Sequence, residues 1–582
     1  MTKTEITEIF EDIARLLEIK GENPFKIRAY TNAARTLDTF AGNLQSEIEN
    51  GTLTKIDGIG KAIAEKIEIL MSTGELPYYT KLRASFPPGL LELFDLQGLG
   101  GKKIKVLWDK LNVTSIDDLE GCCKDGRVAA LNGFGAKTAE NLLKAIEQRQ
   151  QFAGKFLYGD IVGLAEDMLE ELRNLPSVGQ AEIAGSYRRK KEIVGDLDFI
   201  ISSKKPEEVS NFFVNHPLVK QVLAHGKTKS SAIFEPGIQC DLRVVQAEEY
   251  PFALNYFTGS KEHNIRMRSR ALTRGWSLNE YRFSRAEDTK IESEKPLPKN
   301  IDVEENIYHS LGLDFVPPEL REDRGEFEQA ESHTLPKLIE WQNLRGVFHN
   351  HTIASDGKNT LKEMAEAAAE LGFQYIGVAD HSKSSFQANG LDEGRLLKQV
   401  DEVAAYNAKQ DVITVFSGVE CDILKDGSLD FSDDVLARLD YVVASVHSSF
   451  TLSEKDMTER LIRAISNPNV KMLGHLTGRL LLSREPYTVN IPAVLDAAAE
   501  TGTFIELNAS RYRLDMDWRW WGLAKEKGVK CVINPDAHSV NGLQEVRLGI
   551  NIARKGGLRA DDVINCLPLD KIRLLLKKEI IR

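Results

Sequence analysis

The segment IVGDLDFIIS, residues 193–202, sets two carboxylates, Asp196 and Asp198, inside an otherwise apolar run. Side chains alternate along an extended strand, so the pair faces one way. Two desolvated like charges side by side are unfavourable unless a cation lies between them. A third carboxylate, Asp241, stands in a second β-rich run, IQCDLRVV. Three aspartates on neighbouring strands could hold two Mg2+ ions, the arrangement an in-line phosphoryl displacement requires. Upstream, GSYRR (Gly185 to Arg189) offers a turn of backbone amides, the Ser186 hydroxyl and guanidinium groups to phosphate oxygens. A lone Asp-x-Asp is explained as well by a solvated edge strand; the three pieces together make a specific signal.

A second constellation follows Gly346. The pieces GVFHNHTIASDG, YIGVADHS, VFSGVECDI, YVVASVHSS, KMLGHLTGR and CVINPDAHS each run from strand-like apolar residues into a His, Glu or Asp. Helical stretches such as TLKEMAEAAAELG and IPAVLDAAAETG separate several of them, giving repeated βα units with polar groups at the C-terminal strand ends, where barrel active sites form. The candidate ligands are His349, His351, Asp356, His381, Glu420, His447, His475, Asp536 and His538. Imidazole and carboxylate without thiolate suit Mn2+, Zn2+ or Fe, and nine ligands exceed what one ion takes, so two or three ions are expected. Such clusters assist hydrolysis of phosphate esters. Arg479 is a candidate phosphate group, with a rim ion pair as the alternative.

These groups need several domains to carry them. The chain has 582 residues, 42% of them hydrophobic, enough for more than one core. Six cysteines form no CxxC pair or framework, so reduced thiols in the cytoplasm are expected. No apolar run reaches membrane-spanning length. A net charge of −12 argues against indiscriminate nucleic-acid binding, not against a local patch. One such patch is Lys261, Arg266, Arg268, Arg270 and Arg274, opposed in sequence only by Glu262. Residues 287–345, with 15 acids against 7 bases, read as an acidic, proline-punctuated connector with a boundary near 325–345. Near the N-terminus, IDGIGKAIAEKIEIL, LQGLGGKKIKVLWDKL and LNGFGAKTAENLLKAI repeat one frame. Their paired glycines, Gly58 and Gly60, Gly98 and Gly100, Gly133 and Gly135, allow a tight turn with amides aimed at a phosphate. HGKTKS (225–230) ends like a Walker A loop but lacks the first glycine, where Gln221 stands, and is discarded.

The repeats resemble helix-hairpin-helix units, which grip a DNA backbone without reading bases. GS-x-RR followed by GDLD, then DLR, then YFTGSKEHNIRMR, looks like the family X DNA polymerases of the nucleotidyltransferase superfamily, over residues 1 to about 322. That resemblance implies a metal-binding catalytic triad of Asp196, Asp198 and Asp241. It further implies nucleotide contacts from Gly185, Ser186, Arg189, Gly195, Tyr256, Phe257, Gly259 and Asn264, DNA contacts from Arg268, and a Schiff-base lysine at Lys66. Ala62 departs from the pattern around Lys66. The later histidines and carboxylates look like the PHP (polymerase and histidinol phosphatase) domain, with Phe348 standing before the first histidine and Arg511 where close relatives often have proline.

The combination resembles bacterial PolX proteins. The expected fold is multidomain α+β and α/β: a helical helix-hairpin-helix region (1–82 and 83–155), a nucleotidyltransferase palm (156–251), a thumb (252–322), a linker (323–345) and a distorted (β/α)7 PHP barrel (346–582). The implied function is short-gap filling in DNA repair with 3′-5′ exonuclease activity and an abasic-site activity. Its partners are gapped or primer-template DNA and deoxynucleoside triphosphates, with Mg2+ or Mn2+ at the palm, no membrane, and a monomer in the cytoplasm at the nucleoid. The rival reading is a 3′-end nuclease whose polymerase half only clamps DNA.

Overall fold

The computed structural model describes residues 1, 3–40, 44–56, 58–96, 98–286 and 296–576. The start of the acidic stretch, 287–295, and the chain end, 577–582, lie outside the described residues. The chain divides into two units, Met1–Ala153 and Gly154–Arg582.

The first unit is helical throughout its described residues. One apolar core runs from Ile6 to Ile146, so the division expected at residue 82 falls inside a continuous core. In each repeat the apolar residue between the glycines (Ile59, Leu99, Phe134) is buried. The first glycine of each takes a left-handed φ (+83° at Gly58, +91° at Gly98, +88° at Gly133), which a side chain would resist. Gly60 and Gly100 then cap the helices Lys61–Thr73 and Gly101–Leu111. The third copy differs, because Gly135 is itself the first helical residue and Phe134 occupies the cap.

The second unit begins with a five-stranded sheet in the order Val178–Ile183, Asp196–Ser203, Ile238–Val245, Lys229–Phe234, Val219–His225. Strands Asp196–Ser203 and Ile238–Val245 run parallel, and their apolar residues, among them Leu197, Phe199, Ile200, Ile201, Leu242 and Val244, are buried. HGKTKS is the tip of the Val219–His225/Lys229–Phe234 hairpin, which excludes a phosphate loop opening a helix. Helices Tyr250–Thr258 and Lys261–Leu272 and a short hairpin follow, over a core of Phe252, Met267, Trp276, Phe283 and Tyr308.

Residues 323–345 are not a free connector. Phe327, Ala330 and Ile339 are buried, and helix Glu326–Glu331 closes the thumb core. Its acids also absorb much of the basic patch: Arg266 pairs with Asp323 and Glu328, Arg270 with Glu331, and Arg274 donates to the Leu311 carbonyl. That acidic and basic segments far apart in sequence neutralise each other is a tertiary fact invisible to local charge counting.

Among the described residues after 345 the named strands pair in parallel, in sheets of three and five strands. Thr414–Ser417 continues after a break as Glu420–Asp422, and a bridge from Asn350 to Ala537 joins the first and last strand positions, so seven positions close into a ring. Sequence signals set the helices between them: Thr360 and Glu363 form a capping box on Leu361–Glu370, and left-handed Gly502 ends Ile491–Thr501. No described helix is long and apolar enough to cross a membrane.

Candidate active sites

In the palm the parallel register sets Asp198 directly against Asp241 and Asp196 against Gln239. Gln239 Nε2 reaches both Asp241 carboxylate oxygens, at 3.2 and 3.3 Å. The Gly185 turn lies hard against this pair: a Cβ there would stand 2.6 Å from Asp198 Oδ2, and φ is +64°. Burial, then Asp196 and Asp241, push the Asp198 carboxyl up to about 7 against the pull of Arg243 and Arg189, while Asp196 is raised by burial and Asp241. Two crowded acids flanked by a basic turn are the chemistry of a divalent-cation site, and the donors fit Mg2+ or Mn2+.

This crowding has a measurable sign. Asp198 prefers its proton in the folded protein, so its contribution to stability is present at acid pH and is lost as pH rises from the ordinary carboxylate range through 7. Charging it in the folded protein costs about 4 kcal/mol. With chelator present, Asp198→Asn is therefore expected to be more stable than the native chain at pH 8, and the difference is expected to shrink at pH 5. Denaturant unfolding at both pH values checks this; an equal or reversed difference at pH 8 refutes it.

Around the palm, Arg189 donates to the Thr258 carbonyl and lies 3.1 Å from Glu322. Gly259 gives it room, since a Cβ there would sit 3.0 Å from Arg189 Nη1. Tyr256 and Phe257 meet edge to face, Arg243 covers the Phe257 ring at 4.2 Å, and Asn264 Nδ2 donates to the Tyr256 carbonyl. Gly195 is exposed beside Asp196, and Ser186 is half-buried. Arg268 is left free of carboxylates among the interactions described, donating only to Asn264 O. Lys66, in the other unit, is half-buried, donates to the Ala62 carbonyl at 2.8 Å and lies 5.9 Å from the Tyr30 ring.

In the barrel all nine candidate ligands gather at the strand ends. Ligand atoms lie within 4.8 Å of one another in three groups: His351, Asp356, His381 and His538; His349, His351 and Asp536; His381, Glu420 and His447. His475 Nε2 joins through Glu420 Oε1 at 2.9 Å. The palm aspartates are not among the groups so gathered. Within the barrel cluster several buried atoms, His349 Nε2, His351 Nδ1 and His475 Nδ1, make no hydrogen bond, and His381 Nδ1 and Glu420 Oε2 stand 2.8 Å apart without the geometry of one. Buried polar atoms are ordinarily satisfied, so this concentration of idle lone pairs fits metal ligands. His475 and Asp536 hold positive φ, 21° and 54°, the backbone strain that functional sites retain.

Electrostatics point the same way. Burial would lower His447, yet Glu420 and Asp422 outweigh it and hold the imidazole at about 10; Asp356 and Asp536 likewise hold His538 at about 9. Burial, His538 and His381 together depress His351 to about 4. Burial opposes ionisation of Glu420 and Asp536, but the histidines keep both well below the usual carboxylate range. The ionised carboxylates and the neutral His351 are already in the form a cation takes, whereas His447 and His538 would have to give up a proton to a bound ion.

Several groups that matter here were missed in the sequence. Glu506, in FIELN, is fully buried, accepts from His349 Nδ1 at 2.7 Å and from the His475 amide at 2.7 Å, and so fixes which His349 nitrogen faces the cluster. Asp422 does the same for His447 at 3.1 Å, and Asp380 gathers the Thr352 and Ser355 amides beneath the HxH loop. Asp380 and Asp422 stand at the ends of apolar runs, the signal used for the ligands, whereas Glu506 interrupts the strand Phe504–Asn508. Glu506→Gln is expected to weaken metal retention about 10- to 100-fold, read as metal content after dialysis against a competing chelator; unchanged content refutes the role. Arg479 is no phosphate group: it is buried between Glu192 at 3.3 Å and Asp517 at 2.7 Å. Arg511 pairs with Glu545 and Asp160, and Phe348 packs among Tyr375, Phe416 and Tyr441.

A sheet with paired acidic strands beside a thumb, joined to a barrel of clustered imidazoles and carboxylates, is the architecture of a nucleotidyltransferase coupled to a metal-dependent phosphoesterase. Family models agree segment by segment. Residues 1–76 match a helix-hairpin-helix domain, 90–148 a SAM-like helix-hairpin-helix tandem, 160–235 the DNA polymerase beta palm, 253–322 the DNA polymerase beta thumb and 348–510 the PHP domain. The palm and PHP ranges stop short of Asp241 and of Asp536 and His538. Over 580 residues the chain is 38% identical to the DNA polymerase/3′-5′ exonuclease PolX of Bacillus subtilis, covering 99% of this chain and 100% of that one. It is 25% identical to rat DNA polymerase lambda over 343 residues, 54% of this chain and 56% of the relative. It is 31% identical to a probable phosphatase of Thermoanaerobacter sp. over 242 residues, 40% of this chain and 94% of the relative. The chain belongs to the bacterial family X DNA polymerases with a C-terminal PHP domain.

Proposed function

We propose that this protein fills short gaps during DNA repair and trims DNA 3′ ends, using the palm for the first reaction and the barrel for the second. The observation that carries the reading is the coexistence, on one chain related end to end to a polymerase/3′-5′ exonuclease, of the Asp198–Asp241 register and the nine-ligand cluster. Its working parts are assigned as the helix-hairpin-helix region to about residue 155, the palm to 251, the thumb to 322 and the barrel from 346.

In the palm, Asp196, Asp198 and Asp241 hold Mg2+ or Mn2+, which when bound acidify the primer 3′-hydroxyl and screen the triphosphate. The chain's own groups do the rest. The Gly185–Ser186 turn and Arg189 hold the triphosphate, with Gly195 leaving room beside Asp196. Tyr256, Phe257 and Gly259 lie along the sugar, where a 2′-hydroxyl would be excluded, and Asn264 and Arg268 face the nascent pair and template. The paired glycines of the three repeats bind the DNA backbone. In the barrel the nine ligands hold two or three Mn2+, Zn2+ or Fe ions that serve phosphodiester hydrolysis, with Glu506 and Asp422 orienting His349 and His447. The protein works as a monomer in the cytoplasm, at the nucleoid.

The test is a one-nucleotide-gapped duplex offered each deoxynucleotide separately, and none, with Mn2+. Addition of only the templated nucleotide, with primer shortening when none is supplied, supports the reading. Shortening without any addition would make the palm a clamp and the protein a nuclease.

A further inference from the structure

The barrel reaches into the palm at one point. Lys555, at the end of barrel helix Val546–Lys555, has a fully buried side chain. Its ammonium lies 2.6 Å from Glu322 Oε1, 3.0 Å from the Arg189 carbonyl and 3.3 Å from the Glu319 carbonyl, with the Trp518 ring 4.5 Å away. Glu322 is shared. Arg189 Nε lies 3.1 Å from it and Lys191 Nζ 3.6 Å. The neighbouring acid Glu319 is already occupied by Arg554 at 2.7 Å. A second barrel residue, Arg479, grips Glu192 at the far end of the same palm turn.

One carboxylate among three cations leaves a positive surplus in a poorly solvated place. Burial, then Arg189 and Lys191, work against the Lys555 charge and bring its ammonium down to about 8 even with Glu322 beside it. The surplus points at the palm site, because Arg189 is one of the cations that draws on the Asp198 carboxylate. An anion bound beside Asp198 would relieve it.

Resting on the polymerase reading above, we propose that Lys555, a side chain of the exonuclease barrel, is a positioning residue for the polymerase's nucleotide pocket. By sharing Glu322 with Arg189 and Lys191, it leaves that one carboxylate unable to neutralise them fully, so that they remain available to a triphosphate. Two domains with separate chemistry would then share one electrostatic element, and removing the barrel would weaken nucleotide binding at a site it does not itself contain.

The experiment measures equilibrium affinity of the full-length protein for the templated deoxynucleoside triphosphate, on a gapped duplex with a dideoxy-terminated primer and Mg2+. Lys555→Met is expected to weaken affinity about tenfold, while shortening of a single-stranded oligonucleotide without nucleotide stays within about twofold of wild type. Adding Glu322→Gln, which removes the competing carboxylate, is expected to bring affinity back to within about threefold. A packing role for Lys555 would give no such rescue. Affinity unchanged in Lys555→Met, or a double variant no better than the single one, overturns the proposal. Wild-type protein with no preference for the templated nucleotide would instead sink the polymerase reading on which it rests.

Discussion

Replacing Asp196 and Asp198 together by alanine is expected to reduce primer extension by at least about 10³-fold while leaving 3′-end shortening unchanged. Metal-assisted stabilisation of a transferring phosphoryl group is worth several kcal/mol, and each 1.4 kcal/mol is a factor of ten in rate. The parallel register places the two residues on the strand that faces Asp241, so the change removes two of three carboxylates. It leaves behind no unpaired buried cation of comparable depth, because Arg189 keeps Glu322 and Arg243 keeps the Phe257 ring. Given the raised Asp198 carboxyl, the fold is expected to be unharmed in the absence of metal. Unfolding curves recorded beside the activity separate a chemical loss from a structural one. A variant that still extends primers at more than about a tenth of the wild-type rate would mean these carboxylates are not the polymerase's metal ligands.

The second large effect is expected in the barrel. Asp356→Ala with His538→Ala should abolish 3′-end shortening, by about 10²-fold or more, and leave extension intact. These two are chosen over His349 because they stand at the rim, with side chains 34% and 37% exposed, whereas His349 and Glu506 are both fully buried. Truncating His349 would strand the Glu506 charge at a cost of about 3–5 kcal/mol and confound the result. The rim pair supplies two of the four ligands in the group with His351 and His381, so metal content should fall with activity. Retained shortening with lowered metal content would show that the ion held by this group is dispensable for hydrolysis.

How far the sequence led is clearest from particular residues. Asp196 and Asp198 declare themselves because alternation along a strand is local, and the nine barrel groups do so because they follow six strand-like apolar runs. Pairing is another matter. That Asp198 meets Asp241 depends on which strands neighbour each other, and that the 323–345 segment packs on the thumb and neutralises Arg266 and Arg270 depends on contacts dozens of residues apart. Glu506 was hidden by its company: a lone acid between Ile505 and Leu507 looks like an interrupted strand until His349 is seen 2.7 Å away. Lys555 offered least of all. At the end of an amphipathic helix it reads as a solvated cation, and only the tertiary structure puts it against Glu322 and the palm turn.

The most direct test of two separate centres on one chain is the length distribution of a 5′-labelled primer on a one-nucleotide-gapped duplex with Mn2+ and all four deoxynucleotides, then with none. It is run with wild type, Asp196→Ala with Asp198→Ala, and Asp356→Ala with His538→Ala. The account predicts that wild type both extends and shortens, that the palm variant only shortens, and that the barrel variant only extends. Loss of both activities in either variant, with its unfolding curve unchanged, would contradict two independent centres.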